Sequence, residues 1–88
     1  MAWKIELSSM ARKQLHALDR TVQKKIVDYL AERIEGCKSP RHFGEALSAN
    51  RAGLWRYRVG DYRIICEIQD DKVIVLVLTI GHRREVYK

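Results

Sequence analysis

Arg56, Arg58 and Arg63 flank a Gly60-Asp61 pair, and a second cationic group, His82, Arg83 and Arg84, stands near the C-terminus with Tyr87 three residues beyond it. A guanidinium is a planar fork of N–H donors that matches phosphate oxygens two at a time and stays charged at any working pH. It can hold and neutralise an anion but cannot take up a proton. An imidazole and a phenol supply what arginine lacks: His82 has the proton affinity suited to transfer near neutral pH, and Tyr87 offers a ring that can stack on a base. Each group also has a plainer reading. Charged tails and sheet faces are commonly just solvated, His82 can be a surface residue beside a turn, and Tyr87 can be an apolar anchor for the chain end.

These residues act together only if the chain folds them onto one patch. Trp3, Ile5 and Leu7 alternate with Lys4 and Glu6, which predicts a strand over residues 2–7. Ser8 and Ser9 offer an N-cap, and Ala11, Leu15 and Leu18 recur at helical spacing up to Asp19, itself a cap for the next segment. Val22, Ile26, Tyr29, Leu30 and Ile34 form the stripe of a longer second helix stopped near Gly36. Residues 37–53, with Pro40, Gly44 and Gly53, show neither period and read as a connecting loop. Three β-rich runs follow, 54–59, 62–69 and 72–80, separated by Gly60-Asp61 and Asp70-Asp71, both suited to tight hairpins; residues 82–88 form a short charged tail. The expectation is one α+β domain over residues 1–88, ordered β-α-α-β-β-β, with a helical hairpin on one face of a mainly antiparallel sheet.

A two-residue turn at Gly60-Asp61 would pair Val59 with Tyr62, Arg58 with Arg63 and Arg56 with Ile65. Trp55, Tyr57, Val59, Tyr62, Ile64, Cys66 and Ile68 would then meet the helices, and the open face would show Arg56, Arg58 and Arg63. Arginines directly opposite each other repel, so their pairing suggests a bound anion. The alternative is a solvated face relieved by Glu67 and Asp61. An antiparallel last strand would return beside Arg63 and bring Gly81, His82, Arg83, Arg84 and Tyr87 to the same end. That strand is apolar at Val73, Val75 and Val77 and also at Ile74, Leu76 and Leu78, as a central strand buried on both sides would be.

Composition narrows the partners. Seventeen Lys and Arg against eleven Asp and Glu give the 88-residue chain a net charge of +6, which favours a polyanion such as nucleic acid. The apolar run Val73–Leu78 is far short of the ~18 residues a membrane span requires, and no signal-peptide pattern opens the sequence, so a cytoplasmic protein is expected. Cys37 and Cys66 form no C-x-x-C pair, and His16, His42 and His82 are scattered, so no metal site and no cofactor are expected.

The run Leu54-Trp55-Arg56-Tyr57-Arg58-Val59-Gly60-Asp61-Tyr62-Arg63-Ile64, followed by Thr79-Ile80-Gly81-His82-Arg83-Arg84-Glu85-Val86-Tyr87, resembles the RelE/ParE superfamily of toxin–antitoxin toxins, and the likeness extends over the whole chain. The resemblance implies a RelE-like fold and a metal-independent endoribonuclease of the RelE branch, an mRNA interferase that inhibits translation by cutting messenger RNA in the ribosomal A site. The ribose 2′-hydroxyl would attack the adjacent phosphate, leaving a 2′,3′-cyclic phosphate and a 5′-hydroxyl. By the family pattern Arg63 and Arg83 would hold the phosphate and stabilise its transition state, Arg56, Arg58 and Arg84 would bind substrate, and Tyr87 would orient the base or assist proton transfer. Family members often carry lysines where this chain has Arg56 and Arg58. An arginine cannot serve as base, so proton transfer would fall to His82 and Tyr87, with Glu67 as an outside candidate. The resemblance also implies a RelB-like antitoxin as partner, alongside the ribosome and mRNA. Two alternatives remain: a ParE-like inhibitor of DNA gyrase, and a non-catalytic nucleic-acid-binding module.

Overall fold

The apolar alternation at the N-terminus is realised as a short strand, β1 (Lys4–Leu7), in a computed structural model that describes residues 2–47 and 53–82. Trp3 is buried beneath it, and Ile5 and Leu7 pack against the core. Ser8 then caps α1 (Ser9–Ala17), its Oγ accepting from the Ala11 amide at 3.0 Å. Asp19 does the same for α2 (Arg20–Tyr29), accepting from the Val22 amide at 2.9 Å. Ile26, Leu30 and Ile34 form the buried stripe. The helix ends in a wider π turn, Leu30–Ile34, where the Glu35 amide bonds the Leu30 carbonyl at 2.9 Å. Among the described residues no helix is long and apolar enough to cross a membrane.

The segment expected to be a plain loop holds more structure. Pro40–His42 make a 3-10 turn, and a two-residue strand follows, β2 (Glu45–Ala46). Two residues are too few to reveal an alternation, so no periodicity announces this strand. It is pinned by side chains from the sheet: the Trp55 indole N–H donates to the Phe43 carbonyl at 2.7 Å, and the Tyr57 hydroxyl donates to the Pro40 carbonyl at 2.6 Å. Burial pushes the Tyr57 phenol up, so it remains a neutral donor. Arg41 clasps Asp70 with two bonds of 2.9 Å, and those hydrogen bonds, with the guanidinium charge behind them, hold the Asp70 carboxyl below the usual range.

The remaining strands are β3 (Leu54–Val59), β4 (Tyr62–Gln69) and β5 (Ile74–His82), and the sheet order is β1-β5-β4-β3-β2, five strands where the pattern indicated four. Only β1 and β5 run parallel. This is an α+β fold with both helices on a mixed sheet; Tyr57, Ile64, Cys66, Val75 and Val77, all fully buried, meet Ile26 and Ile34 in the core. Burial raises the Cys66 thiol, which behaves as a small apolar side chain.

β5 departs from expectation in three ways. It begins at Ile74, because residues 70–73 form the connection, with Val73 at φ +57, a costly backbone for a β-branched residue. It runs on through Gly81 and His82, so His82 belongs to the sheet and not to the tail. It also carries a bulge: Ile65 pairs with Thr79 and Cys66 with Val77, leaving Leu78 as an extra residue. The phase of the strand therefore changes at Leu78. Val75 and Val77 face the helices before it, and Ile80 and His82 after it, while Ile74, Leu76 and Leu78 are only half-buried.

β1 stops at Leu7, so among the described residues the last part of β5 has no strand on that side. Two side chains take its place. Ser8 Oγ donates to the Leu78 carbonyl at 2.8 Å, and Gln14 Oε1 accepts from the Ile80 amide at 2.6 Å and the Thr79 hydroxyl at 2.9 Å. Replacing Gln14 by Leu strands two partly buried donors and should cost about 1–3 kcal/mol in a urea melt. Amide exchange at Ile80 should quicken more than at Ile64 on the neighbouring strand, and equal protection at Ile80 would show that Gln14 holds nothing there.

Candidate functional site

Gly60, at φ +59, with Asp61 outside the positive-φ region, forms the two-residue turn of a type II′ hairpin. That turn sets the register: Val59 opposite Tyr62, Arg58 opposite Arg63, Tyr57 opposite Ile64 and Arg56 opposite Ile65. Tyr57 and Ile64 are wholly buried against the helices, so Arg56, Arg58 and Arg63 project from the other face. Two rows result. One holds Arg58, Arg63 and Gly81 side by side on three strands, and the next holds Glu45, Arg56, Ile65 and Thr79.

The three arginines differ in setting. Arg58 is exposed, whereas Arg63 is only 7% exposed. Arg63 Nη1 reaches back toward the Gly60 and Tyr62 carbonyls at 3.5 and 3.4 Å, distances at which hydrogen bonds are weak. A guanidinium shielded from water acts on a nearby anion through a lower effective dielectric than an exposed one does. Arg56 makes a short charged contact with Glu45 on β2. Arg56 holds the Glu45 carboxyl below its usual range by hydrogen bond and charge, and Arg58 and Arg63 add to the effect.

Glu45 is thus a carboxylate that relieves this face, a part that the alternative, solvated-face reading of the sequence gave to Glu67 and Asp61. Glu67 shares the face but lies four residues along β4 from Arg63, ~13 Å by strand rise, and accepts from Gln69 at 2.6 Å. Asp61 sits in the turn itself. Glu45 escaped sequence reasoning because its strand is too short to have a period. The one available signal was a carboxylate directly after Gly44 in a segment with few acids.

Of the other expected site residues, His82 is placed at the right end of the sheet but on the other face. It pairs with Tyr62, the two rings meeting edge to face with centroids 5.6 Å apart. The bulge at Leu78 is the reason, since it puts Gly81 beside Arg63 and turns His82 toward the helix side. Arg83, Arg84 and Tyr87 lie outside the described residues. His16, His42 and His82 are on separate elements, and among the described residues no group of three His, Cys, Asp or Glu is arranged to hold a metal.

Comparison with known proteins gives a match over residues 5–87 to the ParE toxin of the type II toxin–antitoxin system parDE. The chain belongs to that toxin family. Toxin RelG of Mycobacterium tuberculosis is 26% identical over 88 residues, covering 100% of this chain and 99% of that protein. A double mutant of E. coli toxin RelE in the free state superposes with a TM-score of 0.72 at 26% identity, covering 99% of this chain and 92% of the other. A chain of the RelBE2 toxin–antitoxin complex from M. tuberculosis shares the fold at a TM-score of 0.81 and 24% identity, covering 97% and 95%. The protein is therefore a type II toxin of the RelE/ParE superfamily, and the arginine face is a feature of that toxin's sheet.

Two outcomes are expected at this site of the toxin. Gly44 has φ +75, and a Cβ there would lie 2.3 Å from the Arg56 carbonyl oxygen and 2.8 Å from Trp55 Nε1 and Tyr57 Cδ1. Gly44→Ala should push β2 off β3 and cost about 1–3 kcal/mol, read as a fall in Tm. Because the Glu45 carboxyl is depressed in the folded toxin, its pairing with Arg56 is complete at neutral pH and is lost only as pH falls through that depressed value. Carboxyl NMR should find Glu45 titrating below ordinary glutamates, and Arg56→Gln should return it upward; an unmoved titration would contradict the pairing.

Proposed function

We propose that this toxin is a ribosome-dependent mRNA endoribonuclease of the RelE kind, and that its arginine face holds the scissile phosphate. The observation that supports this most is the pairing of Arg58 directly across from Arg63, with Arg56 on the same face. Like charges held in register lower stability unless an anion comes between them. An RNA phosphate is the anion whose geometry the guanidinium fork fits best.

In the proposed reaction the ribose 2′-oxygen attacks the adjacent phosphorus and loses its proton to an acceptor. The bond from phosphorus to the 5′-oxygen breaks, and that oxygen gains a proton, leaving a 2′,3′-cyclic phosphate and a 5′-hydroxyl. Negative charge builds on the non-bridging oxygens in between. Arg63 and Arg83 would stabilise it, with Arg56, Arg58 and Arg84 binding the scissile phosphate and its neighbours. Tyr87 would stack on the base and assist proton transfer. His82 is a less direct proton carrier than its place in the sequence suggests, because it shares a face with Tyr62. A ribosome would supply the orientation that an open sheet face cannot impose on its substrate.

The natural antagonist would be a RelB-like antitoxin, since a RelE relative 25% identical to this chain is known in complex with an antitoxin RelBc peptide. A segment rich in Asp and Glu would complement the +6 toxin. Gyrase inhibition is the second reading, favoured by the match to the ParE toxin.

The test is 5′-end mapping of mRNA in a translating extract, comparing the intact toxin with Arg58→Ala and with Arg83→Ala/Tyr87→Ala. Ribosome-dependent cuts within codons are expected, reduced at least about 10²–10³-fold in Arg83→Ala/Tyr87→Ala, which loses a transition-state contact, and less in Arg58→Ala. Growth arrest without cuts would sink the nuclease reading, and a supercoiling assay would then decide on gyrase.

A further inference from the structure

Glu45 stands among the arginines of the proposed phosphate site, and no part of the reaction described above uses it. We propose that Glu45 sets the affinity of this face for RNA, its carboxylate occupying Arg56 where a phosphodiester oxygen would otherwise bind. The inference rests on reading the arginine face as a phosphate site, and it adds a built-in competitor to that site.

The first support is where Glu45 is held. β2 pairs Glu45 with Arg56 and Ala46 with Trp55, and the Leu47 amide continues to the Leu54 carbonyl at 3.3 Å. The Trp55 bond to the Phe43 carbonyl and the close approach of Gly44 to β3 fix the chain just before it. Backbone pairing, and not the ion pair, keeps the carboxylate beside the arginines, so it competes at the high effective concentration of a tethered ligand.

The second is the chemistry of the contact. Arg56 Nη2 donates to Glu45 Oε1. A carboxylate and a phosphodiester both present anionic oxygens to the same guanidinium edge, and an N–H aimed at one is withdrawn from the other. The third is the unequal exposure of the two side chains, 17% for Arg56 and 57% for Glu45. The arginine is held in the sheet and the glutamate faces solvent, so an incoming phosphate can displace the carboxylate into water while the guanidinium stays in place. The depressed proton affinity of Glu45 keeps it ionised at neutral pH and makes it a poor base. The consequence is a face that binds loose RNA weakly and fills when substrate is presented to it at high local concentration.

The experiment uses the full-length toxin and a short single-stranded RNA in which 2′-O-methyl groups block cleavage, with binding read by fluorescence anisotropy from about 50 to about 300 mM salt, over which the Debye length shortens from about 14 to about 6 Å. Glu45→Gln keeps the side-chain shape and removes the charge. It should bind about two- to five-fold more tightly at low salt, the scale of one exposed ion pair. The steepness of log Kd against log salt should grow by about 0.7, one more phosphate contact on a single strand. In an Arg56→Gln background the same substitution should have a much smaller effect, since only the weaker charge coupling to Arg58 and Arg63 remains. Glu67→Gln, which removes an equal charge farther along the same face, should have the smaller effect.

Unchanged or weaker binding by Glu45→Gln would overturn the proposal, as would an equal gain from Glu67→Gln, which would make the effect one of net charge alone. A fall in cleavage rate with unaltered binding would assign Glu45 to proton transfer and overturn it too. Because this readout needs no cleavage, it is separate from the mapping experiment. RNA bound by neither the intact toxin nor Glu45→Gln would refute the phosphate reading of the face, and the competitor with it.

Discussion

The register of the β3–β4 hairpin is the constraint on which the arginine face depends. Tyr57 and Ile64 are opposite each other and fully buried, which forces Arg58 and Arg63, one step along, onto the other face and opposite each other. A slip of one residue would bury the guanidiniums and expose the aromatic and aliphatic set. Burying that apolar set is worth more than the repulsion between one exposed and one shielded guanidinium, so the fold can maintain a pairing that is locally unfavourable. The core therefore holds the cationic face together.

The second determinant is the phase of β5. In an unbroken strand the residues that share a face with Val75 and Val77 would be Thr79 and Gly81, and His82 would lie with the arginines. The extra residue at Leu78 reverses this. Gly81, with no side chain, becomes the neighbour of Arg63, and His82 packs on Tyr62. Gln14 and Ser8 satisfy the edge of β5 where β1 has ended, so residues of the N-terminal helix hold the strand that brings Gly81 to Arg63.

These two features explain what the sequence could and could not disclose. Ser8 and Asp19 were legible as caps because capping is a local bond within three residues. The hairpin was legible because Gly60-Asp61 fixes its own pairing and the flanking residues alternate cleanly. β2 was not legible, since Glu45 and Ala46 are a strand only by virtue of Arg56 and Trp55 beside them. The bulge was not legible either: Val75, Val77 and Ile80 are buried while Ile74, Leu76 and Leu78 are half-buried and equally apolar, which hides the change of phase. The register that sets Arg56, Arg58 and Arg63 on one face comes from one stretch of chain and was legible there. The face of His82, and Glu45, which the sequence reading passed over, depend on a neighbouring strand.

A face built this way has conflicting requirements. Arg63 gains electrostatic strength from its near burial, but a buried cation is costly unless anionic groups lie near. Glu45 supplies negative charge to the face while remaining exposed itself, and its carboxyl responds to Arg56, Arg58 and Arg63 together. A permanently bound internal anion would block the face, whereas a displaceable one tempers its charge and leaves it accessible. A carboxylate on a two-residue edge strand meets both requirements, because its backbone is fixed by β3 while its side chain can turn to solvent. In the proposed reading, the charge that tempers the arginine face is the same charge a phosphate would displace, which would link the stability of the sheet to the affinity of the site.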